Sequence, residues 1–386
     1  MKVLIEARAL SAKGGGVKTY VRELINHMIP MLSGIETTIV LDRPGARVEI
    51  GAGHEEVLPL WHEVLLPWWL SKGIGSRIRV LEPDVVHYTK AAVPRNAGAP
   101  SVVTIYDVIP ILYPSSQTWL RRVYWPAALR QAAHRSDHIL TISEASRRDI
   151  VKYLGVPAEK ITVTPLAADT ARYRPDIGPE EKIQVKAKLR LKGPYILCLT
   201  TRDERKNVGS LIRAFAKVAP YISHDLVIAG KPALKHDAST VIAARLAPAV
   251  RDRVRFLDFV DYNDLPALYA GADLFVWPSV YEGWGFPPQE AMASGVPVIV
   301  SDGGSLPEVV GEAGEIVKFT TDDLAGRTHD DDFIAALAKN IGVVLHDAPK
   351  RARMRAAGLA QAKKFTWDDV ARKTLEVYKK VASLNL

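Results

Sequence analysis

Short apolar runs rich in β-branched residues recur along the chain, each followed by a stretch of helical periodicity. The first series comprises residues 3–5, 37–41, 85–88, 101–105, 138–142 and 161–164. A second comprises 195–200, 225–229, 254–257, 273–277 and 297–300, with helices between them such as 210–218. Strands alternating with helices form parallel βαβ units, so each series predicts a doubly wound α/β domain. Residues 174–194, RPDIGPEEKIQVKAKLRLKGP, are polar, charged and bounded by proline and glycine, which predicts a linker with one short helix. The expected organisation is a first domain over 1–175, a linker over 176–193 and a second domain over 194–365. The closing stretch, 366–386, reads as an amphipathic helix with Trp367, Val370, Thr374, Val377 and Val381 on one face. The acidic cluster Asp330 to Asp332 reads as a solvated loop.

Composition narrows the class without choosing a function. At 386 residues the chain exceeds one ordinary core, and 48% hydrophobic with 24% charged residues excludes disordered and collagen-like proteins. No apolar run is long enough to span a bilayer, and the start, MKVLIEARAL, is broken by Glu6 and Arg8 where a signal peptide needs a long apolar stretch. A cytosolic location is expected. The single cysteine, Cys198, lies in the apolar run YILCL and reads as a buried strand thiol. A net charge of +8 favours anionic partners: nucleic acid, anionic lipid or a diphosphate. No zinc-finger spacing, ribonucleoprotein aromatic motif or basic heptad region accompanies it, so nucleic acid is not expected as a partner.

The candidate chemistry lies in residues 277–311, WPSVYEGWGFPPQEAMASGVPVIVSDGGSLPEVVG. Pro278, Gly283 and Gly285 break the preceding strand into a loop at its C-terminal end, where open α/β sheets bind ligands. Pro287 and Pro288 suit the start of a helix, and Gly295 ends it. Glu282 therefore falls on a strand-end loop and Glu290 in the first helical turn, with seven residues between them. Glycines let the backbone approach a ligand, and a helix N-terminus favours a diphosphate. Either glutamate alone would read as a solvated acid or a partner for the helix dipole.

Taken together, the segment resembles the retaining glycosyltransferases of family 4, of GT-B architecture, whose signature is Glu-x7-Glu within PSxYEGFGxPxxEAMAxGxPV. The resemblance implies two Rossmann-like domains whose parallel sheets face across a cleft, with the last helix crossing back to the first domain. It implies that Glu282 contacts the donor sugar with the backbone that follows, Gly283, Trp284, Gly285 and Phe286, and that Glu290 holds the ribose. Trp284 stands where the family has Phe, keeping an aromatic wall near the sugar. By the same resemblance, Arg205 and Lys206 in TTRDERKN neutralise the departing diphosphate, and the backbone near Val260 reads the base. Fixed cations can stabilise a leaving diphosphate without a metal, so neither metal nor other cofactor is expected. Thr200 replaces the family's glycine ahead of that motif.

Matches in the first domain are looser. Gly14, Gly15 and Gly16 precede a helix at 17–28, as a flexible turn or as the family's loop over the donor. Glu6-Ala7-Arg8 stands where relatives carry Asp-x-Arg. In SVVTIYDVIP the family's His-Asp pair becomes Tyr106-Asp107, and Asp107 either orients the acceptor hydroxyl or caps its own loop. His87 and His138 lie in apolar strands and read as core histidines, and Ser143 as a helix N-cap. Residues 61–79 and 119–135 interleave tryptophans with Arg and Lys. That mixture suits an anionic membrane surface, or two amphipathic helices that bury their indoles.

The expected activity is transfer of a sugar from a nucleotide-sugar to a hydroxyl with retention at the anomeric carbon. By resemblance to bacterial polysaccharide assembly the sugar is mannose from GDP-mannose and the acceptor a saccharide or polyprenyl-linked oligosaccharide. The enzyme would then sit on the inner face of the cytoplasmic membrane. Two rivals stay open at this point: a nucleotide-sugar epimerase of the same architecture, which needs no acceptor, and an inactive nucleotide-sugar-binding scaffold, for which Tyr106 is the hint.

Overall fold

The structure, a computed structural model, describes all residues except 13–14, 32, 44–53, 63–64, 96–97, 115–118, 233–237 and 384–386; the side chains of 67 and 119–121 also lie outside the description. The chain divides into two compact units, 1–166 with 366–386, and 167–365.

Among the described residues the first unit is built on seven strands: β1 (Lys2–Glu6), β2 (Glu36–Leu41), β3 (His54–Val57), β4 (Val85–Tyr88), β5 (Ser101–Thr104), β6 (His138–Thr141) and β7 (Ile161–Val163). All pair in parallel, in the order β3-β2-β1-β4-β5-β6-β7. Strand order reverses direction between β1 and β4, which opens a crevice beyond their C-terminal ends. Central strands such as Val85–Tyr88 are buried throughout, as parallel strands covered on both faces must be.

The helix Trp367–Ala382 belongs to this unit. Thr366 caps it by accepting from Asp369 N at 3.1 Å, and it packs on the helix Gly16–Met28. Every position of the anticipated apolar face is buried. Beneath it runs a buried polar chain: Tyr378 Oη to His87 Nδ1 at 2.6 Å, His87 Nε2 to Thr104 Oγ1 at 2.8 Å, and Thr104 Oγ1 to Tyr20 Oη at 3.2 Å. Burial lowers the His87 pKa to about 3, so the imidazole is neutral. His138 bonds Thr162 Oγ1 at 2.8 Å, so both histidines are paired core residues. Ser143 caps the helix Glu144–Leu154 through Ser146 N.

The second unit carries β8 (Tyr195–Leu199), β9 (Asp225–Ala229), β10 (Val254–Leu257), β11 (Leu274–Trp277), β12 (Val298–Ser301) and β13 (Glu315–Val317). They too are parallel, in the order β10-β9-β8-β11-β12-β13, with the reversal between β8 and β11. Helices Val208–Val218 and Asp331–His346 pack together over this sheet, with Phe215, Phe333 and Ile341 fully buried in the core. Residues 176–193 lie inside the second unit: the helix Pro179–Lys188 opens on a proline, carries Glu180 and Glu181 in its first turn, and packs on the helix Leu265–Ala270. Cys198 is buried on β8, and burial pushes its thiol up to about 12.

Three local expectations are corrected. Strands β3 (HEEV) and β13 (EIV) have no apolar run to announce them; both are edge strands, where polar residues are tolerated. Asp330 is buried rather than solvated, because it caps the helix Asp331–His346 by accepting from Phe333 N at 2.9 Å. The helix bearing Glu290 spans Phe286–Ala293, which places Glu290 in its second turn; Pro287 and Pro288 fit inside the first turn because N–H groups there need no helical partner.

Candidate active site

The reversal between β8 and β11 brings two strand-end loops together. Strand β8 delivers the chain into a short 3₁₀ turn, Glu204–Lys206, which ends where Asn207 adopts φ 55° and opens the helix Val208–Val218. The carbonyl of Arg205 accepts from Val280 N at 2.8 Å and from Ser279 Oγ at 3.2 Å, fixing this turn to the loop after β11.

Glu282 is the centre of that junction. Its Oε1 accepts from Lys206 Nζ at 2.6 Å and from Trp277 Nε1 at 3.2 Å, while Arg205 Nη1 lies 3.1 Å from its Oε2 and donates to Tyr281 O at 2.6 Å. Lys206 also stands 5.0 Å from the Trp277 ring centroid. Burial alone would raise the Glu282 pKa, but Lys206 and Arg205 outweigh it and hold the carboxyl at about 2. Burial pulls Lys206 down while Glu282 opposes the shift. The junction is thus an ionised carboxylate facing two cations. Its backbone is held as well: Ser305 donates to Glu282 O through N (3.0 Å) and Oγ (3.1 Å). At Gly304, φ is 64° and a Cβ would come within 2.3 Å of that same carbonyl, so only glycine fits.

Glu290 sits beside two phenols. Its Oε2 accepts from Tyr269 Oη at 2.8 Å and it is also hydrogen-bonded by Tyr173, whose ring meets Tyr269 edge-on at 5.5 Å. Burial pushes the carboxyl up to about 7, although both phenols oppose the shift. The residue keeps part of its surface open, so a carboxylate that titrates near neutrality is presented from the second turn of the helix. Val260 is part-exposed in the loop after β10, ahead of the turn Tyr262–Asp264.

Comparison with known proteins decides the family. Residues 179–361 match the model described as Glycosyl transferases group 1, and residues 14–172 match Glycosyltransferase Family 4. O-antigen chain mannosyltransferase B of Escherichia coli is 33% identical over 283 residues, covering 72% of this chain and 70% of that one. The chain belongs to the family 4 glycosyltransferases. The MMP alpha-(1->4)-mannosyltransferase of Mycolicibacterium hassiacum is 30% identical over 253 residues, 65% of this chain and 56% of its own. Among solved structures, Anabaena HepE in complex with UDP and glucose superposes with a TM-score of 0.74 at 20% identity, over 98% of this chain and 100% of its own. WaaG, a glycosyltransferase involved in lipopolysaccharide biosynthesis, gives 0.70 at 16%, over 98% and 99%. The α/β fold with two Rossmann-like parallel sheets is therefore that of a GT-B glycosyltransferase.

In this glycosyltransferase the remaining anticipated residues divide by place. Gly283 is buried in the Glu282 loop, and Phe286 opens the helix, half-buried. Trp284 forms no open wall: its indole is buried, donates to Gln289 Oε1 at 3.3 Å and meets Phe365 edge-on at 5.2 Å, so it braces the helix. At Gly285 a Cβ would press on Leu306 and Pro288 at 3.0 and 3.1 Å. In the first unit, Gly15 takes φ 106° and Gly16 begins the helix Gly16–Met28; Gly14 lies outside the described residues. Tyr106 donates to Thr89 O at 2.7 Å and lies edge-on to Tyr20 at 5.3 Å, and Thr89 Oγ1 donates to Glu6 O at 2.7 Å. Glu6 accepts from Arg8 N at 3.0 Å, so the pair replacing Asp-x-Arg is joined internally. Asp107 Oδ1 accepts from Ile109 N at 2.9 Å, the loop-capping bond that was one of its two readings. Sequence reasoning missed Trp277, Tyr269, Tyr173 and Ser305, each of which reads as an ordinary core or loop residue until the fold brings it to a glutamate.

Proposed function

We propose that the enzyme is a retaining mannosyltransferase that takes mannose from GDP-mannose and passes it, without a metal, to a hydroxyl of a saccharide or lipid-linked oligosaccharide. The observation that carries the reading is Glu282 held between Lys206 and Arg205 at the strand reversal of the second unit, with Glu290 on the adjoining helix. A diphosphate arriving at the two cations would compete with Glu282 for them, and they would stabilise the charge it gains as the sugar bond breaks. A carboxylate with a pKa of about 2 is a weak base and a weak nucleophile. That favours a role for Glu282 in accepting hydrogen bonds from the sugar, with displacement on one face and the departing phosphate taking the acceptor's proton. Glu290 then accepts from the ribose hydroxyls, and the backbone near Val260 reads the base. Mannose rests on relatives whose names specify it, among them the two mannosyltransferases above.

The test is a binding screen followed by product analysis. Melting temperature should rise selectively with GDP and GDP-mannose, with chelator present, since a ligand of the folded state alone stabilises it. The anomeric configuration of the product, read by NMR, should equal that of the donor. An inverted product, or stabilisation by UDP-sugars alone, would sink the proposal.

A further inference from the structure

The loop that follows β10 carries an ion pair of uneven burial. Arg202 comes just after β8, where its N–H donates to Lys231 O at 3.0 Å, and its side chain spans the end of β9 to reach β10, with the guanidinium 4.9 Å from the Phe256 ring centroid. There Nη2 donates to Asp258 Oδ1 at 2.7 Å; the arginine side chain is 4% exposed and the aspartate 73%. Withdrawing a guanidinium from water is costly, and a partner left in water offsets little of that cost. The pair therefore does less to hold the fold together than to hold one carboxylate in a fixed direction, at the C-terminal edge of the sheet where ligands bind. Its neighbours are large aromatics left open to solvent, Phe259 at 69% and Tyr262 at 50%. Flat apolar faces beside a group that only accepts hydrogen bonds offer what the face and the edge of a nucleobase need.

The same loop is tied to Glu290. It runs into the helix Leu265–Ala270, whose Tyr269 donates to that carboxylate at 2.8 Å. Arg172, next in the chain to the other phenol on Glu290, Tyr173, lies 3.6 Å from the Tyr262 ring centroid and donates to Tyr262 O. A nucleotide with its ribose at Glu290 therefore has its base within reach of residues 258–262. Backbone there offers any base a donor and an acceptor, whereas a carboxylate is selective because it only accepts. Guanine alone among the common bases sets two donors side by side on its pairing edge, N1–H and the C2 amine. Adenine and cytosine set one donor beside an acceptor, and uracil places its N–H between two carbonyls. Each carboxylate oxygen has two lone pairs, so Asp258 can accept both guanine donors and keep Arg202. Resting on the donor site proposed above, we infer that Asp258, aimed by Arg202, is the residue that selects guanine, accepting from N1–H and from the C2 amine.

The experiment is equilibrium titration of the full chain with the diphosphates of guanosine, inosine, xanthosine, adenosine and uridine. Inosine diphosphate differs from GDP only in lacking the C2 amine, and a hydrogen bond to a charged acceptor amounts to about ten- to a hundredfold in affinity. The native chain should therefore bind GDP at least about tenfold tighter than inosine diphosphate. Asp258→Asn keeps an acceptor for Arg202 and for N1–H but turns a donor toward C2. GDP binding should then fall about tenfold or more, and xanthosine diphosphate, with a carbonyl at C2, should become the tighter ligand. Asp258→Ala should bind GDP and inosine diphosphate alike. Without nucleotide both variants should melt close to the native chain, because the side chain is exposed. A carboxylate with a purely structural role would instead weaken every nucleotide in step and leave their ratios unchanged. Native binding of GDP no tighter than of inosine diphosphate, or an unchanged ratio in the two variants, overturns the inference while the donor reading stands. Binding of uridine diphosphate with none of GDP would overturn the donor reading itself, and this inference with it.

Discussion

Replacing Glu282 with glutamine asks how much the two cations depend on their carboxylate. The amide keeps the shape and one acceptor for Lys206 or Trp277 but leaves two largely buried positive charges with no counter-charge. A fall from the ordinary 4.5 to about 2 corresponds to roughly 3 kcal/mol of coupling, at about 1.4 kcal/mol per pKa unit. Breaking one member of a buried pair costs about the same, roughly 3 to 5 kcal/mol. For a unit of this size that lowers the melting temperature by about 6 to 20 °C at neutral pH. The pH dependence gives the stricter check. A carboxyl with a depressed folded pKa contributes stability above its unfolded pKa and loses it as pH falls through the folded one. The gap between native and variant should therefore be full at pH 7 and narrow between about 4.5 and 2. Melts across that range, with sugar transfer assayed in parallel at pH 7, measure both consequences. Transfer should be abolished while the fold persists at moderate temperature. A variant as stable as the native chain at pH 7, or a gap indifferent to acid, would refute the electrostatic account of the junction.

Other expectations follow from the same geometry. Glu290 has its folded pKa raised to about 7, so its ionisation opposes folding: stability is greatest below about 4.5 and declines as pH rises through 7. Since a ribose hydroxyl needs the carboxylate, GDP affinity should climb through the same pH interval, and titrations on Glu290→Gln should be weak and flat. Tyr269→Phe removes a donor to that carboxylate, so the inflection should move to higher pH. Gly304→Ala forces a Cβ to 2.3 Å from Glu282 O at a positive φ; loss of transfer and a stability loss of at least about 2 kcal/mol by urea denaturation are expected. Tyr378→Phe leaves buried His87 Nδ1 without its partner and should destabilise the first unit by about 1 to 3 kcal/mol, with GDP affinity unchanged in equilibrium titration.

Much of the second unit could be read from sequence because its signals are local. Pro278, Gly283 and Gly285 break strand from loop within eight residues, and the parallel order then carries Glu282 to the strand reversal beside Arg205 and Lys206. What surrounds the glutamates could not be read in this way. Tyr173 and Tyr269 reach Glu290 from nearly a hundred residues apart, and nothing in their own surroundings separates a phenol that holds a carboxylate from one that fills a core. Trp284 misled for the opposite reason: it lies inside the motif, yet packing against Phe365 and Gln289 turns it into a brace. Of the two readings of the tryptophan-rich stretches, a buried indole holds for Trp69, whereas Trp61 and Trp68 are exposed.

The membership of the helix Trp367–Ala382 in the first unit sets an order on how the molecule is made. On the ribosome, residues 1–166 emerge without the segment that covers Tyr20 and completes the polar chain to Tyr378. Residues 167–365 are synthesised entirely before that segment appears, so the later unit can complete its own core first, while the earlier one waits with an apolar face open to chaperones and proteases. A message that stops at codon 365 would thus yield a chain whose second unit has every residue it needs and whose first unit can never close, a product the cell can distinguish by its exposed sheet alone.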